Sequence, residues 1–310
     1  MNYKLISPVE RTTSIIEQVL YNRGIPLGEA YHYLNTTDID IFDPLLLDNM
    51  EDGVKMLIKH IKANNKIFVQ IDEDCDGYTS GAVLLNYLYA LFPHFTQTKI
   101  VYKTHNCKAH GIVLNDIPKD TKLVIVPDAG SNEIEKHAEL AAAGIEILVL
   151  DHHNLEVEPK DICLINNQAC EYPNKSLSGV GIVYKFCCYI DSLLGTNKAQ
   201  DLLDLVAVGM VADMMPLNEF ETKHLIFKGL NNVTNPFLKG MLIKNEFYLK
   251  GKLTPHGVSF CIAPAVNAVT RVGTFEERMI LFESMLDFCA YDLIPSTKRG
   301  CKGEEETKVE

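Results

Sequence analysis

Apolar residues recur at helical spacing through the first part of the chain: Ile15, Ile16, Val19 and Leu20, then Val54, Leu57, Ile58 and Ile61. That period predicts helices, interrupted at Pro26, Gly28, Asp43 and Pro44. From Lys66 the pattern changes. Lys66-Ile67-Phe68-Val69-Gln70-Ile71 is a short β-branched and aromatic run that reads as a strand, followed by an apolar helical stretch from Ala82 to Leu91. Leu123 to Val126 reads as a second strand, a helix follows from about Glu133 to Ala143, and Ile145 to Leu150 reads as a third. Strand, helix, strand at this spacing requires crossover connections and therefore a parallel sheet. Helices return downstream, one reaching Leu194 with Ser178 as its N-cap and one from about Ala199 to the neighbourhood of Asp213 and Pro216. The pattern predicts an α/β fold, a mostly parallel sheet flanked by helices, with a helical N-terminal arm. Its divisions are the arm over 1–65, a sheet domain over 66–295 and a polar connector over 296–310.

Composition narrows the class. In 310 residues, 47% hydrophobic and 23% charged, there is enough apolar material for a core and too little charge for a disordered chain. The apolar run from Leu205 to Ala212 falls far short of the ~20 residues a membrane span needs, and Met1-Asn2-Tyr3-Lys4 leads into no apolar signal core. Nine scattered cysteines without a C-x-x-C pair suggest neither a disulfide framework nor a thiolate zinc site, and point to a reducing cytoplasm. Lys+Arg 29 against Asp+Glu 41 gives a net charge of −12, which argues against nonspecific coating of nucleic acid. An acidic total can also conceal carboxylates gathered around metal ions.

The carboxylates are not evenly spread. Each predicted strand ends in polar residues: Asp72-Glu73-Asp74-Cys75-Asp76-Gly77, Asp128-Ala129-Gly130-Ser131 and Asp151-His152-His153-Asn154. Open α/β sheets bind ligands at those ends. Asp72, Asp74 and Asp76, at alternate positions in one turn, would repel one another unless a cation sat among them, although a solvated turn of capping aspartates uses the same residues. Mixed carboxylate and imidazole donors suit Mn²⁺ or another first-row divalent ion, with Mg²⁺ where oxygen predominates. Asp213 emerges from the apolar run before it and needs a partner of its own.

Taken in order, these segments resemble the DHH-family phosphoesterases, in particular the RecJ-like single-strand exonucleases. The Asp72 to Gly77 turn is similar to that branch's first motif, Asp128-Ala129-Gly130 to its second and Asp151-His152-His153 to the family signature. Leu177-Ser178-Gly179-Val180-Gly181 with Tyr184-Lys185, and Val208 to Asp213 with Pro216-Leu217, follow in the family's order. Ile262-Ala263-Pro264, Asn267-Ala268 and Arg271-Val272-Gly273 resemble a RecJ-specific motif, and Asn22-Arg23-Gly24-Ile25 and Asp43-Pro44 resemble how such chains begin. In two positions the chain departs from the pattern: Gln70 stands where many relatives have a histidine, and Thr270 where a glycine is usual.

The resemblance implies a metal-dependent 5′→3′ exonuclease on single-stranded DNA, with replication or repair proteins as candidate partners. It implies two divalent ions: Asp74 and Asp72 on one, Asp76, His152 and Asp213 on the other, and Asp128 bridging them. Asp151 would orient an imidazole, and His153 would contact the phosphate or protonate the leaving group. Arg271 would pair with phosphate oxygens, and Asn267, His110, Gly111 and Ser178 would line the substrate site. Lys103 and His105 fall in the same substrate-facing segment, where His105 reads as an exposed side chain. Lys298, Arg299 and Lys302 read as a solvated basic patch. In the family a polar connector leads to a second, substrate-gripping domain; residues 296–310 resemble that connector, and the domain itself is expected to be absent from this chain. Two other functions compete: a DHH phosphodiesterase for short oligonucleotides or cyclic dinucleotides, which shares the metal site but lacks the Asn267 to Arg271 segment, and an inactive RecJ-like scaffold, against which the intact acidic and histidine ligands count.

Overall fold

The computed structural model describes residues 14–106, 110–296, 301 and 303–310. Lys298, Arg299 and Lys302 lie outside them. The arm carries α1 (Ile15–Asn22), α2 (Ala30–Leu34) and α3 (Met50–Lys62). It is fixed to the rest of the chain by a buried ion pair between Lys185 and Glu221. Lys185 Nζ donates to Phe42 O at 2.5 Å, while Glu221 Oε1 accepts from the Phe42 N–H at 3.0 Å and the Tyr172 hydroxyl at 2.9 Å. A charge pair so deeply buried needs these extra hydrogen bonds to offset its desolvation.

Five parallel strands form the main sheet: β1 (Lys66–Ile71), β2 (Ile100–Thr104), β3 (Thr121–Pro127), β4 (Glu146–Asp151) and β5 (Cys163–Asn166). Their order is β2-β1-β3-β4-β5. The three strands predicted from sequence are the three central ones. The two that were not predicted lie at the edges, where Ile100–Thr104 is partly exposed and Cys163–Asn166 is only four residues long. Because β2 pairs on the outer side of β1, the order reverses between β1 and β3, and ligands in open α/β sheets bind at such a reversal.

Helices α4 (Cys75–Leu91), α5 (Pro93–Lys99), α6 (Ile134–Ala142) and α7 (Gly179–Leu194) connect and cover the strands, and α8 (Leu203–Ala212) packs on both α4 and α7. The first of these starts at Cys75 rather than Ala82, because Asp74 accepts the Gly77 N–H at 2.9 Å and caps it. Three of the motif's residues, Cys75, Asp76 and Gly77, are therefore helical. The second helix predicted downstream begins as a 3₁₀ turn at Ala199–Leu202 before becoming α8.

Six further helices follow among the described residues: α9 (Phe220–Leu230), α10 (Pro236–Lys244), α11 (Glu246–Leu249), α12 (Pro255–Gly257), α13 (Ala263–Val272) and α14 (Phe275–Ser284). A π-helical turn, Val258–Ile262, joins the fourth of these to the fifth. Within the stretch read as a polar connector, β7 (Glu305–Thr307) pairs antiparallel with β6 (Leu293–Pro295). No helix among the described residues is long and apolar enough to cross a membrane.

Candidate metal centre

Asp72 follows β1, Asp128 follows β3 and Asp151 ends β4, so three neighbouring parallel strands bring their carboxylates to one edge of the sheet. Asp128 turns out of its strand at φ 66°, a left-handed conformation that Asp tolerates better than most side chains, and its N–H continues the ladder to Leu150 O at 2.8 Å. Asp74 and Asp76 sit at the first turn of α4, where the helix dipole favours negative charge. Asp213 closes the other end of the cluster as the C-cap of α8.

Two glycines allow this crowding. A Cβ on Gly179 would stand 2.2 Å from Asp128 Oδ1, and one on Gly209 would stand 2.5 Å from Asp76 Oδ1. Both lie in segments singled out in the sequence, but only the packing shows why a side chain is excluded. Gly179→Ala is expected to displace the Asp128 carboxylate and weaken Mn²⁺ binding about 10- to 100-fold, measurable by calorimetry.

Donor atoms of Asp72, Asp74 and Asp128 lie within 4.8 Å of one another, as do those of Asp76, His152 and Asp213, and those of Asp128, Asp151, His152 and His153. Asp128 therefore belongs to the first and third of these groups, and His152 to the second and third. His152 Nε2 stands 3.4 Å from both Asp128 Oδ1 and Asp213 Oδ2. Asp76 Oδ2, Asp128 Oδ1 and Asp213 Oδ2 are buried without a hydrogen-bond partner among the described residues. Converging buried oxygens without partners, opposite an imidazole, are a donor set that fits divalent cations.

The titration behaviour has the same cause. Burial, with the charges of Asp213 and Asp74 adding to it, raises the Asp76 carboxyl to about 8. Asp128 is pushed well above its ordinary value by burial and by Asp76, and Asp213 rises to about 6 by burial and by Asp74. Burial and the charge of His153 lower His152 to about 4, which keeps it neutral and able to ligate. A cation must displace the protons held by the raised carboxyls, so Mn²⁺ affinity is expected to increase from pH 6 to above pH 8 with proton release. Calorimetry in buffers of different ionisation enthalpy measures that release. Stability of the metal-free protein runs the other way. A raised Asp76 stabilises the fold below the unfolded value near ~4, and this contribution is lost as pH rises through about 8.

His152 and His153 face different surroundings. Asp151 Oδ1 accepts the N–H groups of His152 at 2.7 Å and His153 at 3.2 Å, and pairs with His153 Nδ1 at 2.7 Å. Burial alone would raise Asp151, but these bonds outweigh it and hold the carboxyl well below its usual range. In turn Asp151 raises His153, whose side chain is 45% exposed and pairs with Asp151 through Nδ1, leaving Nε2 without a hydrogen bond among the described residues.

Around Asp72 the structure changes several expectations. His105 is buried rather than exposed, with Nε2 3.4 Å from Asp72 Oδ1. Gly111 is also buried, and its N–H donates to Asp72 Oδ1 at 3.0 Å. His110 pairs with Asp72 Oδ2 at 2.8 Å, remains exposed, and sits 5.3 Å from the His153 ring. Burial would raise Asp72, yet His105, His110 and the Gly111 N–H bring it down to about 2. That hydrogen bond lifts His110 to about 9.

Ser178 is fully buried and its hydroxyl donates to Asp76 Oδ1 at 2.9 Å, so it holds a carboxylate. Asn267 Oδ1 accepts the Cys75 N–H at 2.9 Å and braces the acidic turn. Gln70 joins Lys103 O and the Val113 N–H, and Lys103 itself is engaged by Asp116. Arg271 is exposed on α13, in a groove shared with Ala212 and Met214, which flank Asp213.

These features define a parallel α/β domain with a carboxylate and imidazole centre at its strand ends. Residues 66–210 match the family model described as DHH family, N-terminal domain, and this part of the chain is a DHH-family domain. The chain is 36% identical over 310 residues to the SPbeta prophage-derived protein YorK of Bacillus subtilis (strain 168), provisionally named a single-strand DNA-specific exonuclease; the match covers 100% of this chain and 52% of that protein. It is also 28% identical over 293 residues to the single-stranded-DNA-specific exonuclease RecJ of the same organism, covering 91% of this chain and 36% of the relative. The chain thus spans about half the length, or less, of these relatives. A crystal structure of exonuclease RecJ bound to manganese shares the fold, with TM-score 0.69 and 22% identity over 79% of this chain and 63% of that one. RecJ from Thermus thermophilus in complex with Mn²⁺ does so at TM-score 0.66 and 21% identity, over 86% of this chain and 40% of that one.

Proposed function

We propose that the chain hydrolyses phosphodiester bonds of single-stranded DNA as a 5′→3′ exonuclease, using two divalent ions, Mn²⁺ in preference to Mg²⁺. The observation that carries this reading is the convergence of unpartnered, buried Asp76, Asp128 and Asp213 oxygens on His152 at the ends of neighbouring parallel strands. The names and manganese complexes of the relatives support the substrate and the metal.

Asp72, Asp74 and Asp128 would hold one ion, and Asp76, His152, Asp213 and Asp128 the other. Divalent ions held there would supply Lewis-acid chemistry to the scissile phosphate, a bound water and the leaving oxygen. His153, oriented by Asp151, presents Nε2 to give a proton to the leaving oxygen. Exposed Arg271 offers a planar fork to non-bridging phosphate oxygens, and His110, held by Asp72, lies beside His153 to bind a neighbouring phosphate. Ser178, Gly111 and Asn267 keep Asp76, Asp72 and the acidic turn in place. A reducing, cytoplasmic setting and contact with replication or repair proteins belong to the same reading.

The test offers the purified chain with Mn²⁺ to single-stranded DNA labelled at either end, duplex DNA, a dinucleotide and pyrophosphate. Release of mononucleotides from the 5′ end of the single strand is expected. Preference for the dinucleotide or for pyrophosphate would contradict the proposal.

A further inference from the structure

Beside the carboxylate cluster lies a groove of about 760 Å³ lined by Met214, Phe260, Pro264, Asn267, Arg271 and Val272. A second groove, about 670 Å³, is lined by Tyr248, Lys252, His256 and again Phe260 and Pro264. Phe260 and Pro264 thus line both, and the two grooves adjoin at these residues. It sits on the π-helical turn Val258–Ile262, a local geometry often found at functional sites.

The surface here is unusually apolar for an exposed one. Phe260 is 70% exposed, Tyr248 75% and Met214 85%, and the His256 ring lies 4.6 Å from the Phe260 ring at an interplanar angle of 30°. Contiguous exposed apolar groups of this kind mark a binding surface. Two observations identify the occupant. The groove adjoins the proposed metal centre, since Met214 follows Asp213 directly and Asn267 braces the Asp74 to Asp76 turn through Cys75. In a chain of net charge −12, the exposed cations Arg271 and Lys252 stand along the same apolar track. A polyanion with flat apolar faces meets both conditions, whereas a second copy of the chain would set −12 against −12.

We propose that the two grooves form one track for single-stranded DNA, in which an unpaired base stacks on Phe260 and another enters the groove of Tyr248 and His256, with Arg271 and Lys252 at the intervening phosphates. This rests on the phosphodiesterase reading above and adds to it a basis for choosing unpaired strands, because a duplex keeps its base faces covered. Base–aromatic stacking tolerates any sequence.

The experiment measures binding of the full chain, in chelator to prevent cleavage, to a labelled dT₁₂ strand and to an abasic strand with the same number of phosphates. Fluorescence anisotropy is expected to show dT₁₂ bound about tenfold or more tighter than the abasic strand. Phe260→Ala should remove most of that preference, Tyr248→Ala part of it, and Phe260→Tyr should retain it. All three variants alter exposed side chains, and thermal melts check that they fold. Unchanged dT₁₂ binding by Phe260→Ala and Tyr248→Ala would overturn the proposal, as would equal losses for both strands. A dimer that Phe260→Ala dissolves would also overturn it by assigning the groove to a second copy. Wild-type hydrolysis of bis(4-nitrophenyl) phosphate with Mn²⁺ is scored separately. Its absence would count against the metal-centre chemistry while leaving the base-dependent binding result standing.

Discussion

Asp128→Asn is expected to lose hydrolysis and metal binding together. The substitution keeps the size of the side chain and removes the charge shared by two donor groups. Turnover should fall at least about 1000-fold, because members of a unit that act together are lost together. The same variant should melt at a higher temperature than the parent when both are metal-free, since Asp128 is buried among Asp76, Asp74, Asp72 and Asp151 and burial disfavours its charge. A higher melting temperature with no activity separates loss of chemistry from loss of fold. Calorimetry that finds two Mn²⁺ bound to the variant with unchanged affinity would refute the bridging position.

His153→Ala is expected to lower turnover about 100-fold or more while leaving metal occupancy intact. Its Nδ1 is committed to Asp151, its Nε2 remains available, and its neighbour His152 faces Asp128 and Asp213. His152→Ala should therefore lose metal where His153→Ala does not. As a proton donor, His153 must be protonated, and the Asp151 hydrogen bond raises its pKa. The rate is then expected to fall as pH rises through that raised value, and this alkaline limb should vanish in His153→Ala. Metal loss in His153→Ala with retention in His152→Ala would exchange the two roles.

Asp72, Asp128 and the Asp151-His152-His153 run were legible because a buried strand that ends in charged residues announces itself by contrast. The topology carried them to one edge without further signal. Ile100–Thr104 was missed for the opposite reason, as an edge strand whose partly exposed residues, among them Lys103, lack the continuous apolar run of Leu123 to Val126. Its placement outside β1 makes the switch point, and pairing order is not written in local periodicity. His105 lies in a polar stretch and looked exposed, yet Asp72 draws it inside. Ser178, Gly111, Gly179 and Gly209 were visible within motifs, but their service to Asp76, Asp72 and Asp128 depends on contacts between segments roughly 40 to 130 residues apart.

The central claim is that the three strand ends form a two-ion centre. Anomalous diffraction at the manganese edge, on crystals equilibrated with Mn²⁺, tests it most directly. Two peaks about 3.5–4 Å apart are expected, one bounded by Asp72 and Asp74, the other by Asp76, His152 and Asp213, with Asp128 between them. Peaks elsewhere, or none within reach of Asp128, would contradict the account.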